Sequence, residues 1–547
     1  MAWGGGNTNS VDAWAKRLRE NDTTFTSLHI LSFRRVTTAE LGILFDALAT
    51  NSTLKEFYAS GHSLDQDAAK KLALALCQNS TLERLNIGND RIGGNGAVIE
   101  ALAEGLAKNK GLIRLDLENK GLGGHHDRAG SGDDDGAGSV RALAEALGQN
   151  QDLQELNLAR NKLTDQDVEV LCKALAHNKG LQVLDLSLNS FGEHGTRAIA
   201  TLLASNNTTA GLREIDLSDN ELTEEGGVAI GQALKTNKTL HKLRMSSSMD
   251  PPLPVEEGDE DKLQWDHDLA TLNTPLTADQ TAEIRSDGDA VLETLSESLK
   301  HNNSLQEIWM DYCNISSVGI TVLAEALRLN QGLTTVRMRN NRIGNRGARA
   351  LGAALTPSSS SGQGHNTTLK NLELGSNKVG VLGWYGLVGA SSLESLGLYE
   401  NGISVLHEAI DSHLLPTSSS PTSITTEPSL SATIPNGAST ATQVLEKLVH
   451  LDVGCNGISR EDFTQLGVSL IKGALPSLIR LEIAGNGDRS QAPQEPGHDD
   501  GGDDDGDDSE PRPDDEQTAW ERVADRIEEA RPGLVIHWKG AGAMQQA

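Results

Sequence analysis

One frame, LxxLxLxxNxL, recurs so often along the chain that it fixes what the chain can fold into. "LQELNLARNKL" begins at Leu153, "LQVLDLSLNSF" at Leu181, "LREIDLSDNEL" at Leu212 and "LHKLRMSSS" at Leu240, with successive starts 28, 31 and 28 residues apart. Earlier copies begin at Leu54, Leu82 and Leu112, and later ones at Leu305, Leu333, Leu369, Leu393, Leu448 and Leu478. A degenerate copy, "FTSLHILSFRRV", precedes them all. The middle of the frame alternates apolar and polar residues with period two, the pattern of a half-buried strand. The Asn at its ninth position (Asn161, Asn189, Asn220, Asn341, Asn377, Asn401, Asn456, Asn486) predicts a ladder of side-chain bonds to the backbone where each strand turns away; Cys313 replaces it in one copy.

Between frames lie segments such as "GAVIEALAEGLAKNK" and "VGITVLAEALRLN", with apolar residues at helical spacing and Ala prominent, so short helices are expected. One strand and one helix cannot bury their faces alone, and successive units must stack. Aromatics are only 3% of the chain against 37% hydrophobic residues, which suits thin layers of Leu, Ile, Val and Ala. Helices occupy more width than strands, so the stack bends with a parallel β-sheet on its concave face and short α-helices on its convex face. The expected class is an α/β horseshoe, a solenoid. Asn-x-Ser/Thr matches such as Asn51 and Asn79 fall between a helix and the next strand, where Asn ends the helix and Ser or Thr opens the turn.

The strand frame and the "ALAxALxxN" helices resemble the ribonuclease-inhibitor-like subfamily of leucine-rich repeat proteins. Repeats of this kind are found in nucleotide-binding innate immune receptors and Ran GTPase-activating proteins. The resemblance covers residues 21–487, about 13 to 14 repeats, and implies a protein-binding horseshoe. A flanking segment at 1–20 precedes it. An acidic insert expected to be disordered, 488–516, and a helix–strand capping unit, 517–547, follow it. Inserts interrupt the array near 123–138, 246–285, 356–366 and 416–442. Acidic inserts come after a strand and Ser/Thr-rich ones after a helix, so the two kinds are expected on opposite rims.

The net charge of −30 argues against nucleic acid and against anionic membrane surfaces as ligands, and favours basic protein partners. A deletion within the run Asp499–Glu516 tests whether that rim steers a partner. Cys77, Cys172, Cys313 and Cys455 have no CxxC spacing, so neither a disulfide framework nor a zinc ribbon is expected. Cys77 and Cys172, inside helical segments, read as core. A reducing interior, the cytoplasm with nuclear access left open, is the expected compartment. There is no phosphate-loop, zinc-protease, serine-hydrolase or kinase signature, so no catalytic residue, cofactor or specific metal is expected. The Gly-rich loop at His125–His126 lacks a fixed ligand shell.

The central residue between the second and third apolar positions of each frame is expected on the open sheet face. In order these are Tyr58, Asn86, Asp116, Asn157, Asp185, Asp216, Arg244, Trp309, Arg337, Glu373, Gly397, Asp452 and Glu482. The sign changes around Arg244 to Arg337. With Tyr312, Arg339 and Tyr399 expected beyond them on outward strand positions, Arg244, Trp309 and Arg337 form the candidate partner-binding set, since aromatics and Arg anchor interfaces. Two readings of Trp309 stand at this point: an anchor for a partner, or cover for the 246–285 insert through residues such as Trp265.

The function expected is that of a non-enzymatic protein-binding scaffold. A GTPase-activating protein resembling the Ran activators is the alternative; it rests on the repeat subclass, the acidic tract and "LYENGIS" with Glu400 and Asn401. A ribonuclease inhibitor would fit the charge but would be expected to be richer in cysteine.

Overall fold

The computed structural model describes residues 10–123, 135–205, 211–246, 278, 282, 284–357, 364–414, 444–486 and 513–538. Most of the insert near 246–285, the insert 416–442, the loop around His125 and nearly all of 488–516 lie outside these residues. The chain divides into two units, Met1–Pro251 with Glu297–Cys313, and Pro252–Ser296 with Asn314–Ala547.

In the first unit nine strands pair in parallel in chain order: β1 (Ser27–His29), β2 (Glu56–Ser60), β3 (Arg84–Gly88), β4 (Arg114–Asp116), β5 (Glu155–Asn157), β6 (Val183–Asp185), β7 (Glu214–Asp216), β8 (Lys242–Arg244) and β9 (Glu307–Trp309). In the second, β10 (Thr335–Arg337), β11 (Asn371–Glu373), β12 (Ser395–Gly397), β13 (His450–Asp452), β14 (Arg480–Glu482) and β15 (Val535–His537) do the same. Each unit therefore has the expected α/β leucine-rich repeat architecture, a parallel sheet in one layer and helices in the other. In most of these strands only the central residue is fully buried, as Leu156, Ile215 and Leu372 are, and its neighbours face outward.

The helices present small residues to one another. Gly96–Lys108 buries Val98, Ile99, Ala101, Leu102, Ala103, Gly105 and Leu106. A Cβ at Gly105 would stand 2.7 Å from the Ala73 backbone of the preceding helix, Gln66–Gln78, so glycine is what lets the two helices approach. Starts are set by side-chain caps. Thr37 and Glu40 form a capping box before Thr38–Leu48, and Thr164 with Asp167 does so before Asp165–Leu175.

The expected ladder is present. Asn161 Nδ2 donates to Leu117 O (2.8 Å) and Leu158 O (3.0 Å), while its Oδ1 accepts Lys120 N (2.9 Å). Asn189 Oδ1 accepts Asn161 N, and Asn220 Oδ1 accepts Asn189 N, so each rung holds its neighbour. At Cys313 the thiol donates instead, to Met245 O at 3.2 Å.

A second ladder was only half legible. Asn79 does end its helix, but its buried amide also donates to Leu48 O (2.7 Å) and Asn51 O (2.8 Å) and accepts Thr81 N and Leu82 N, both at 2.8 Å. Asn51, Asn109, Asn150, Asn178, Asn237 and Asn302 in the first unit and Asn366 in the second make the same kind of bonds. Backbone groups left over at helix ends and turns thus find partners inside the protein.

Two expectations need correction. Cys172 is buried, and burial with Glu169 nearby pushes its thiol up to about 12, but Cys77 is exposed because the last turn of its helix presents it to solvent. The ninth position also takes residues other than Asn. His62 and Lys120 are buried there, the ammonium of Lys120 donating to Ser60 Oγ and Gly88 O, both at 2.9 Å. Burial holds the pKa of Lys120 below its ordinary value.

The helix Val11–Arg19 lies at the start of the described chain, with Arg34 over Trp14 at 4.3 Å. The last helix spans Pro513–Ala530; its Trp520 stacks on Phe463 with centroids 5.1 Å apart, and Glu528 accepts the outward N–H of Ile536 on β15 at 2.7 Å.

Candidate partner-binding face

Strand register turns the sequence series into two rows. In the first unit His29, Tyr58, Asn86, Asp116, Asn157, Asp185, Asp216, Arg244 and Trp309 are successive Cα partners across β1 to β9. In the second, Arg337, Glu373, Gly397, Asp452, Glu482 and His537 are successive partners across β10 to β15.

Most of the Asp and Asn in these rows have a backbone task. Asp116, Asn157, Asp185, Asp216 and Asp452 each accept, through Oδ1, the N–H two residues further on, at 2.9 to 3.1 Å. Such a short side chain ends a three-residue strand by offering an acceptor in place of the next strand bond. Arg244 and Trp309 cannot do this, and serines take over. Ser246 N donates to Ser218 Oγ (3.2 Å), and Asp311 N donates to Ser246 Oγ (3.1 Å). The row is thereby freed at β8 and β9 for other side chains.

Those side chains form a cluster. The Arg244 guanidinium lies 4.2 Å from the Trp309 ring centroid, and Lys242 Nζ lies 4.9 Å from it. Arg244 Nη1 donates to Asp216 Oδ2 at 3.1 Å, and Lys242 pairs with Glu307 at 2.8 Å. Two cations of β8 thus cover the ring from the adjacent strand, each held by a carboxylate as well. Lys242 was not among the sequence candidates, although it stands two residues before Arg244 and period two puts both on one face.

In the second unit Arg339 Nη2 pairs with Glu373 Oε2 at 2.7 Å. A Cβ at Gly397 would fall 2.1 Å from that Glu373 oxygen, so the missing side chain is what lets the carboxylate lie across β12. Arg337 closes β10 at the head of this row. Tyr399 Oη and Cys455 Sγ share a hydrogen bond at 3.2 Å; that bond first, then burial, pushes the phenol up to about 12. Burial holds the Asp452 carboxyl above its ordinary value, with Glu373 and Glu482 adding to the shift.

Arg244, Trp309 and Arg337 therefore occupy the open-face positions expected of them. Tyr312 and Tyr399 do not: they lie in the turns after β9 and β12 rather than on outward strand positions. Pairing stops after three residues and the chain turns inward. Tyr312 adopts a left-handed φ of 59°, and 53% of it is exposed. Arg339 likewise follows β10 and reaches back to Glu373. Among the described residues no group of His, Cys, Asp and Glu is arranged to hold a metal, and no helix is long and apolar enough to cross a membrane.

Comparison with known proteins gives the family "Leucine Rich repeat" at residues 149–172, 212–231, 329–352 and 365–387. Human Leiomodin-3 is 29% identical over 122 residues, which is 22% of this chain and 21% of that protein, so the chain matches about a fifth of that relative's length. Among solved structures, an internalin from Listeria monocytogenes str. 4b F2365 aligns with a TM-score of 0.37 at 14% identity, covering 86% of this chain and 83% of that one. The C-terminal domain of a Caenorhabditis elegans tropomodulin aligns with a TM-score of 0.25 at 14% identity, covering 36% and 92%.

Proposed function

We propose, from the premise that this chain is a leucine-rich repeat protein, that it is a non-enzymatic scaffold whose open sheet face holds a protein partner. The observation that carries this reading is the Lys242–Arg244–Trp309 cluster. Neighbouring positions in its row are spent on closing their own strands, whereas here serines have taken that task and two cations and a large ring stand in its place. Aromatic and Arg side chains on a rigid sheet pay little entropy on binding and are the types that anchor interfaces. Arg337, Arg339 and Tyr399 offer the same residue types on the second unit, and the net charge of −30 favours a partner with basic groups.

The test is affinity capture with the wild type, Trp309→Ala and Arg337→Glu in parallel, together with thermal melting of each. Loss of the same captured protein from a variant that melts like wild type supports the reading. Capture unchanged in both variants refutes it. The GTPase-activating reading gains no observation of its own, because the Asn401 amide is spent on Leu374 O and Tyr399 O within the ladder. Single-turnover GTP hydrolysis with small GTPases separates the two classes.

A further inference from the structure

Three neighbouring strands of the first unit carry Asp185, Asp216 and Arg244 side by side on the open face. Asp216 is engaged at both of its polar atoms: Oδ1 accepts Ser218 N and Oδ2 accepts Arg244 Nη1. Its two neighbours are not. Both bonds to Asp185, from Ser187 N (2.9 Å) and Ser187 Oγ (2.6 Å), fall on Oδ1, and its Oδ2 accepts nothing from any described residue. Arg244 donates only to Asp216, its Nε is buried without an acceptor, and its remaining N–H groups donate to no described residue.

The fold does not need a charge at Asp185. Asn157, one strand earlier in the same row, makes the same bond to the N–H two residues on at 2.9 Å through an amide oxygen. Burial raises the pKa of Asp185 and so disfavours its ionised form, which leaves the closing of the strand no reason to prefer a carboxylate over the amide found at Asn157. Arg244 is held by Asp216 on one side and by Trp309 beneath it, which fixes the guanidinium before any ligand arrives.

We infer that the partner presents an extended segment bearing one basic and one acidic side chain, the basic one completing Asp185 and the acidic one completing Arg244. Adjacent strands lie about 4.8 Å apart, so these two residues, separated by β7, stand about 10 Å apart across the sheet. An extended chain rises about 3.3 Å per residue with alternate side chains on opposite faces, so two side chains that both meet the sheet stand about 6.6 Å (i, i+2) or about 13 Å (i, i+4) apart and bracket that distance. The complementary motif is a Lys or Arg and an Asp or Glu at i, i+2 or i, i+4, so that both side chains face the sheet, crossing β6 to β8. A segment carrying acid alone meets Asp185, Asp216 and Glu307, and one carrying base alone meets Lys242 and Arg244.

The inference rests on the sheet face being the partner site, and its test is chosen to fail separately. Fluorescein-labelled peptides holding one Lys and one Glu, with spacers from none to about six residues, are titrated against the full chain by anisotropy at low salt. The expected result is tightest binding at i, i+2 or i, i+4 and weaker binding at i, i+1 and i, i+3, with the optimum about tenfold above Lys-only and Glu-only peptides. Asp185→Asn, which keeps the Ser187 bonds, removes the advantage of the Lys and melts no lower than wild type. Arg244→Gln removes the advantage of the Glu; where this variant melts early, Asp185→Asn alone decides. Binding that ignores spacing, follows total positive charge, or survives Asp185→Asn unchanged overturns the inference. If the peptides show no spacing preference while Trp309→Ala still loses its captured protein, this inference falls and the scaffold reading stands.

Discussion

Replacing Asn109 by Ala removes one rung of the second ladder, and the cost follows from its bonds. Its Nδ2 donates to Leu76 O at 2.7 Å and Asn79 O at 3.0 Å, and its Oδ1 accepts Leu112 N at 2.7 Å and Gly111 N at 3.0 Å. The side chain is 1% exposed, so water does not replace it readily. Four bonds at about 1 kcal/mol net each come to about 4 kcal/mol, and groups left unpaired in a buried site set a range of roughly 3–6 kcal/mol. Asn109→Asp keeps the acceptor but turns a carboxylate toward two carbonyl oxygens, so it is expected to cost at least as much at neutral pH. Its cost should shrink in acid, where the protonated carboxyl donates once. Urea unfolding followed by circular dichroism gives the global change. Because repeat arrays can unfold in parts, hydrogen exchange of peptides spanning 76–82 and 109–116 gives the local one. A loss under about 1 kcal/mol with unchanged exchange in both peptides refutes the ladder as a source of stability.

Asp452→Asn retains an acceptor for Gly454 N and removes a carboxylate whose pKa burial raises. A raised carboxyl pKa contributes stability below the unfolded value of 3.8 and loses it as pH rises through the folded value, so the variant should melt higher than wild type at pH 7 and converge with it below about pH 4. Gly105→Ala places a Cβ 2.7 Å from the Ala73 backbone, and overpacking of about 1–3 kcal/mol should appear as a lower unfolding midpoint. A maleimide reagent should label Cys77 in the native protein within minutes and leave Cys172 untouched until denaturant is added, read by mass spectrometry. Cys313→Ala loses weak thiol bonds, among them those to Met245 O and Asp311 O, and should cost less than Asn161→Ala in the same urea series.

The architecture was legible because the period-two frame and the helical spacing state it repeatedly, and Leu156, Ile215 and Leu396 lie buried where the frame puts them. The first Asn ladder was legible for the same reason. The second was not, since Asn at a helix end already has an ordinary explanation, and nothing local shows that Asn79 reaches Leu48 of the preceding repeat. His62 and Lys120 were missed because the ninth position was defined by Asn. Lys120 holds its place there only by reaching Ser60 and Gly88, and such long-range partners are invisible in a single frame.

The candidate face shows a deeper limit. In sequence, Asp185 and Asp216 look alike and both look functional; in three dimensions both oxygens of Asp216 accept a bond, whereas only Oδ1 of Asp185 accepts one from a described residue. Asp and Asn also serve to close strands, so their presence in the row says little about binding until that bond is counted. The informative signal is the absence of a strand-closing residue, as at Arg244 and Trp309, together with a nearby serine that closes the strand for it. Ser218 and Ser246 supply that serine here. On the proposed scaffold reading, such a substitute frees a row position for a partner, as at β8 and β9. A variant with Ser218→Ala should therefore disturb the turn after β8 and, on that reading, weaken partner binding without touching the residues proposed to meet the partner, whereas Ser187→Ala, which removes one of two bonds to Asp185 Oδ1, should leave that turn intact. Hydrogen exchange at Ser246 N reads the first effect directly; protection there that survives Ser218→Ala would show that the serine does not hold the strand end and that the freedom at Arg244 has another origin.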